Sequence, residues 1–246
     1  MKTDPFSYTA YQDMLGRLLA GGYRFASFPE AAQPDALSQR VAYLRHDIDF
    51  DLSKAAAMAA IEAAMGVRST YLFLLTSPHY NMLSREAIEP VRAILAHRHW
   101  FGLHFDCAAY PGAGMTELAE ACRREAETLE RWYGVPVEIV SFHRPGPDVL
   151  TGDPAYAGGR AHTYEARFTK QMSYRSDSRS QWREGLPTES TAFERGEPLH
   201  ILVHPIWWDQ SGRTPVEKLK TFMQEQAEAL DRSVEANCSI YHRHRL

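Results

Sequence analysis

Two carboxylates stand two residues apart, at Asp47 and Asp49, directly after a short apolar run. The run, Val41–Leu44, predicts a β-strand, and the alanine-rich segment 55–64 that follows predicts a helix. Because side chains two residues apart in a strand point to the same side, both carboxylates are expected on one face near the strand's carboxyl end. Active sites of α/β folds lie at that end of the strands. The segment therefore predicts both a type of fold and the place of its functional site.

Strand and helix patterns alternate along the rest of the chain. Helices are predicted over 6–22, 51–65, 84–97, 116–133 and 215–235, and further strands over 67–76, 99–106, 135–142 and 199–204. This alternation predicts a parallel, barrel-like sheet. A length of 246 residues without a linker favours one domain over residues 1–246. The segment 147–198 is rich in Gly, Pro, Asp and Arg and predicts a functional loop region with a short strand at Tyr174–Asp177.

Composition and charge argue against several classes of function. The formal net charge of −4 gives no basic footprint for nucleic acid. The apolar run Ala55–Ile61 is far shorter than the roughly 20 residues that a membrane-spanning helix needs. The start of the chain, Met1–Pro5, lacks the basic start and apolar core of a signal peptide, which predicts a cytoplasmic protein. Three scattered cysteines are expected to be reduced thiols.

Five motifs, spaced along the chain, place polar residues near the ends of predicted strands. They are Arg45–Asp49, Gly102–Asp106, Ser141–Pro145, Asp177 with Trp182, and Leu202–His204. In this order the chain resembles the NodB-homology polysaccharide deacetylases, carbohydrate esterase family 4, over roughly residues 41–210, and within that family a divergent bacterial branch found with surface-polysaccharide genes. The resemblance implies a distorted (β/α)7-type barrel, a divalent metal at the strand ends, and removal of acetyl groups from N-acetylated sugars.

The resemblance also implies a role for each matched residue. Asp47 matches the general base of the family, and His204 matches the histidine that acts as general acid. Arg144 matches the arginine that holds the base in place, and Asp177 matches an acid that partners such charges. Trp182, Trp207 and Trp208 offer flat apolar faces on which a sugar ring can stack.

The implied metal ligands begin with Asp49 and His104, and the third departs from the family pattern. The family keeps its second metal histidine four residues after the first, where this chain has Ala108. Two residues are available as replacements. Asp106 shares a strand face with His104, and His143 lies at another strand end.

His143 is slightly favoured as the replacement. With Asp49 and His104 it restores one carboxylate and two imidazoles, a ligand set suited to Zn²⁺ with open positions, while Co²⁺ or Ni²⁺ are the other candidates. Strand parity argues a little against it, because His143 and Arg144 would point to opposite faces of a straight strand. His143 can bind the metal and Arg144 can hold the base only if the chain bends before Pro145.

These residues predict a metal-dependent hydrolase that acts on an N-acetylated sugar, such as a nucleotide-linked or lipid-linked precursor of surface polysaccharide. Ala108 motivates an alternative, a catalytically degenerate barrel that binds a glycan or a partner protein. Hydrolysis of another C–N bond on the same scaffold is a third possibility.

Overall fold

The computed structural model describes residues 5–33, 35–37, 40–146, 149, 157–210 and 213–242. Within these residues, seven parallel strands form one sheet, which curls into a half-barrel. The strands are β1 (Arg24–Phe25), β2 (Val41–Ile48), β3 (Thr70–Phe73), β4 (Trp100–Asp106), β5 (Val140–His143), β6 (Ser173–Ser176) and β7 (Leu199–Val203). Their order in the sheet is β5-β4-β3-β2-β7-β6, and β1 pairs with the first residues of β2. The predicted parallel α/β architecture is confirmed.

Helices precede, connect and follow these strands. They are α1 (Tyr8–Ala20), α2 (Leu52–Ala64), α3 (Arg85–Ala96), α4 (Met115–Tyr133), α5 (Ala166–Thr169), α6 (Thr191–Arg195) and α7 (Pro215–Asn237). The five predicted helices agree with α1, α2, α3, α4 and α7 to within two residues at each end. Asp51 explains why α2 begins so soon after β2, because its carboxylate caps the helix by accepting hydrogen bonds from the amides of Ser53 and Lys54.

The two faces of the sheet have different neighbours. One face packs on the helices, as Ala42 and Leu44 of β2 do against α1. The other face lines the interior of the curl, where Val41 and Tyr43 join Leu72 of β3 in an apolar cluster at the amino end of the strands. Further along β2, the same interior face carries the acids of the first motif. The interior of the curl is therefore apolar at one end and polar at the other.

Gly102 of β4 allows a close approach of β4 to Leu72 and Ile139. A Cβ atom at this position would lie 2.8 Å from the carbonyl oxygen of Ile139 and 2.8 Å from a methyl carbon of Leu72. Only glycine fits without a shift of the backbone.

The predicted strands differ from the observed ones mainly in length. The strand predicted over 67–76 is β3, Thr70–Phe73, and the strand predicted over 135–142 is β5, Val140–His143. The predicted loop region 147–198 contains α5, β6 and α6, and 147–148 and 150–156 lie outside the described residues.

Among the helices of the described residues, none combines the length and apolar character needed to cross a bilayer. Residues 1–4, on which the predicted cytoplasmic location partly rests, lie outside the described residues, and that location stays a prediction.

Candidate metal centre and active site

Three ligand-type atoms converge at the carboxyl ends of β2, β4 and β5. Asp49 Oδ1 lies 3.3 Å from His104 Nε2 and 3.2 Å from His143 Nδ1, and the two nitrogens are 3.2 Å apart. Atoms bound at about 2.0–2.1 Å to one tetrahedral Zn²⁺ are about 3.3–3.4 Å apart. Among the described residues, these three form the cluster whose ligand atoms all lie within 4.8 Å of one another. The spacing fits a shared divalent cation.

The environment of Asp49 also fits a cation. Its Oδ1 atom is buried and makes no hydrogen bond with the described residues, although two imidazole nitrogens lie within 3.3 Å. Burial raises the pKa of Asp49, but the neighbouring His104 and His143 outweigh this effect and hold the pKa well below its usual range. The group is therefore a charged carboxylate with an unused lone pair, which is what a metal ligand requires.

Ser141 orients the His104 ring. Its Oγ lies 2.6 Å from His104 Nδ1 and donates to Asp47 Oδ1 at 3.3 Å. Because the serine hydrogen points to Asp47, the serine oxygen accepts from Nδ1, and the lone pair of His104 Nε2 is left facing Asp49. Sequence analysis gave Ser141 no role of its own, although it precedes His143 by two residues and so shares its strand face.

Asp47 lies beside this cluster, and its neighbouring guanidinium is that of Arg45. Asp47 is 3% exposed, and its Oδ2 lies 3.7 Å from Arg45 Nη2. Arg45 is buried and donates to Thr163 Oγ1 at 2.6 Å. Burial raises the pKa of Asp47, but its neighbours, with the positive charge of Arg45 first, outweigh it and lower the pKa. Asp47 is therefore an ionised carboxylate in a buried position.

Arg144, which was predicted to hold the base in place, pairs with Asp106 in the structure. Its Nη2 donates to Asp106 Oδ2 at 3.1 Å, and its side chain is 69% exposed. Arg45 stands beside Asp47 instead, because residues 45 and 47 share one face of β2. Arg144 has a left-handed backbone with φ of 47°, which provides the bend that strand parity requires between His143 and Pro145.

Asp106, the other candidate for the third ligand, has different partners. One carboxylate oxygen accepts from the amide of Ala108 at 3.0 Å, and the second accepts from Arg144. It does not belong to the cluster of ligand atoms found among the described residues. The structure thus brings His143, and not Asp106, to Asp49 and His104.

Asp177 and His204 form a second polar pair at the edge of the cleft. Asp177 is fully buried, and its carboxylate accepts from His204 Nδ1 at 2.6 Å, from the His204 amide at 3.0 Å and from Trp208 Nε1 at 2.8 Å. Burial lowers the pKa of His204, but the charge of Asp177 and its hydrogen bond outweigh this effect and raise the pKa to about 9. His204 is therefore protonated at neutral pH.

These groups share a cleft of about 300 Å³. Its lining includes Asp47, Asp49, His104, His143, His204 and Trp207. Of the tryptophans predicted to stack on a sugar ring, Trp207 thus lies in this cleft. Trp182 does not line the cleft but packs against Trp208, with ring centroids 6.4 Å apart.

The sequence matches no family model and no curated protein. In fold, the chain is similar to the chitin deacetylase of the fungal pathogen Colletotrichum lindemuthianum, with 14% identity, coverage of 76% of this chain and 83% of that chain, and a TM-score of 0.49. It is similar to a family 4 carbohydrate esterase from Bacillus anthracis, with 14% identity, coverage of 89% and 86%, and a TM-score of 0.45. A pseudoenzyme of that family from Bacillus anthracis gives 12% identity, coverage of 78% and 62%, and a TM-score of 0.43. The curled parallel sheet that forms a half-barrel is consistent with the distorted (β/α) barrel predicted from the motifs.

Proposed function

We propose that the chain is a metal-dependent hydrolase that removes an N-acetyl group from an amino sugar or a sugar-containing precursor of surface polysaccharide. The observation that supports this proposal best is the convergence of Asp49, His104 and His143 in one cleft beside an ionised Asp47. A divalent cation held by these three residues, Zn²⁺ first and Co²⁺ or Ni²⁺ as alternatives, would polarise the acetamido carbonyl and make water more acidic.

Asp47 is proposed as the general base. It accepts the proton of the water that attacks the carbonyl carbon, since its lowered pKa keeps it ionised. Arg45 holds the carboxylate in place from the buried side, and Thr163 holds Arg45.

His204 is proposed as the general acid. Its Nδ1 is engaged by Asp177, which leaves Nε2 for the cleft. When the C–N bond breaks, protonated His204 donates its proton to the sugar nitrogen, so that acetate and a free amine leave. Trp207 supplies an apolar face for the sugar ring.

Metal analysis and acetate release test the proposal together. Protein loaded with Zn²⁺, Co²⁺ or Ni²⁺ should bind one ion per chain and release acetate from at least one acetylated amino sugar, offered free, nucleotide-linked or as an oligomer. His104→Ala should lose both properties, while His97→Ala, which changes an exposed histidine outside the cleft, should keep them. Absence of acetate release from every substrate with every metal would contradict the proposal. A metal-free chain that still binds sugar would favour the glycan-binding alternative, and release of a product other than acetate would favour another C–N bond.

The third ligand has a test of its own. Loss of a residue that only orients a ligand lowers metal affinity typically about 10–100-fold. We expect His143→Ala to exceed that range and Asp106→Ala to stay within it or below. The reverse order would assign the third position to Asp106.

A further inference from the structure

Two arginines stand at the rim of the cleft. Arg144 follows His143 directly, and Arg179 lies two residues after Asp177. Both line the cleft, and both side chains are exposed. Their guanidinium groups are therefore within reach of a bound substrate.

The backbone at both arginines is unusual. Arg144 has φ of 47° and Arg179 has φ of 59°, and Ser180 next to it has φ of 55°. Five non-glycine residues of the described chain have a positive φ, and three of these five belong to this rim or adjoin it. Left-handed backbone at residues other than glycine is uncommon and concentrates at active sites and ligand clamps. The rim therefore has the kind of backbone that is found at ligand-binding sites.

The acids of the cleft have neighbours other than Arg179. Asp49 lies beside His104 and His143. Asp47 has Arg45 as its neighbour, and Asp177 is paired with His204. Arg144 shares one of its nitrogens with Asp106. Within the described part of the chain, Arg179 makes no ion pair and no hydrogen bond to another side chain. Arg179 is therefore a guanidinium at the rim with no carboxylate partner among the described residues, and this favours a negatively charged ligand.

We infer that Arg179, assisted by Arg144, binds an anionic group of the substrate. The inference rests on the proposed function and adds a substrate class to it: an acetamido sugar that carries a phosphate or a carboxylate. Each guanidinium presents parallel N–H donors that match two oxygens of either group. Arg144 contributes with the donors that Asp106 does not use.

Binding of four probes tests the inference. The charged probes are N-acetylglucosamine 1-phosphate, N-acetylglucosamine 6-phosphate and N-acetylmuramic acid, and the neutral probe is methyl N-acetylglucosaminide. Dissociation constants are measured by calorimetry on Zn²⁺-loaded protein carrying Asp47→Asn, which keeps the three ligand residues and prevents consumption of the probes. We expect at least one charged probe to bind about tenfold more tightly than the neutral one, and this preference to weaken with added salt.

The variants are chosen to keep the backbone. Asparagine tolerates a left-handed conformation, so Arg179→Asn and Arg144→Asn remove charge without imposing new strain. Arg179→Asn should abolish most of the preference for the charged probe, and Arg144→Asn should reduce it less. Arg183→Asn removes an exposed arginine of the same loop that does not line the cleft, and it should leave the preference unchanged.

The outcomes separate this inference from the proposed function. Equal affinity for all four probes, or a preference that survives Arg179→Asn, overturns the inference. In the chain without Asp47→Asn, equal kcat/KM for neutral and charged probes, unchanged by Arg179→Asn, overturns it while the hydrolase stands. An Arg179-dependent preference without acetate release from any acetylated sugar, whether a probe, nucleotide-linked or an oligomer, overturns the hydrolase and supports the anion site. The phosphate and carboxylate probes show which anion is bound.

Discussion

Strand β2 carries a group of buried polar side chains on each of its two faces, and the two groups differ in how completely their carboxylates are paired. Arg45, Asp47 and Asp49 face the cleft inside the curl of the sheet, whereas His46 faces α2 on the other side. The acids of the cleft keep an oxygen, Asp49 Oδ1, without a hydrogen-bond partner among the described residues. On the opposite face, the carboxylate of Glu62 has both of its oxygens engaged.

Glu62 is at the centre of that second cluster. Its Oε1 accepts from Tyr11 and lies 2.6 Å from His46 Nε2. Its Oε2 accepts from Ser69 at 2.5 Å and from Tyr71 at 2.9 Å. Burial raises the pKa of Glu62, but the interaction with the neighbouring His46 outweighs this effect and lowers the pKa. The cluster joins α1, α2, β2 and β3 through one carboxylate.

The two faces of β2 therefore have different roles, one in stability and one in chemistry. Buried polar groups that satisfy one another stabilise a fold and have nothing left for a ligand. A buried carboxylate with an unused lone pair costs stability and can bind a cation. We therefore expect substitutions on the Glu62 face to change folding, and substitutions on the cleft face to change metal binding and activity.

The largest effect is expected from Asp49→Ala on metal affinity. Loss of a direct ligand should lower it by more than about 100-fold and abolish acetate release, because losses of merely orienting residues already reach about that size. The metal-free variant should lose less stability than Glu62→Gln does, because Asp49 Oδ1 loses its contacts with two imidazoles whereas Glu62 has partners on both of its oxygens. Metal titration and thermal denaturation measure both quantities. A variant with a large loss of stability and an unchanged metal affinity would contradict the assignment of the cleft face to metal binding.

Glu62→Gln should give the largest loss of stability. Removing one partner of a buried charged cluster costs about 3 kcal/mol, which corresponds to a melting temperature about 6–12 °C lower for a chain of this length. Metal affinity of the folded variant should stay within about tenfold of the parent, because Glu62 does not touch the cleft. Glu225→Gln, on the exposed part of α7, is the control and should leave the melting temperature unchanged. A metal loss as large as that of Asp49→Ala would show that the two faces are coupled.

Asp177→Asn should move the alkaline limb of the pH profile. His204 is protonated below its raised pKa of about 9, so kcat/KM is expected to fall as pH rises through that value. Without the charge of Asp177, the pKa of His204 should drop toward about 6.5, and the fall should begin about two pH units lower. The control is Trp208→Phe, which removes a hydrogen bond to Asp177 but keeps its charge, and its limb should stay near that of the parent. An unchanged limb in Asp177→Asn would remove His204 from the proposed mechanism.

Ser141→Ala should give the smallest of these effects. It deprives His104 Nδ1 of its partner and should lower metal affinity about 10–100-fold without destroying the site. Thr70→Val offers a matched control, because the Thr70 hydroxyl is buried and has no hydrogen-bond partner in the described chain. If both variants bind metal equally well, Ser141 does not orient the ligand.

The helices and the polar strand ends were predictable because they depend on local patterns. Periodicity located the five long helices, and strand parity placed Asp47 and Asp49 on one face with His46 on the other. The same parity was a signal for Arg45 beside Asp47, although the resemblance assigned that role to Arg144.

Two features were beyond the reach of sequence patterns. The left-handed backbone at Arg144 and Arg179 could not be predicted, because neither residue is a glycine. The partners of Glu62 come from segments far apart in the chain, so only the folded structure brings them together. Such long-range contacts leave no local periodicity.

The register of β4 and β5 sets Asp106 opposite His143. In the proposed centre, the third ligand comes from β5, the strand that adjoins the one carrying His104. A search keyed to two histidines four residues apart will discard chains of this kind. A search for ligand-type residues at the ends of neighbouring strands will retain them.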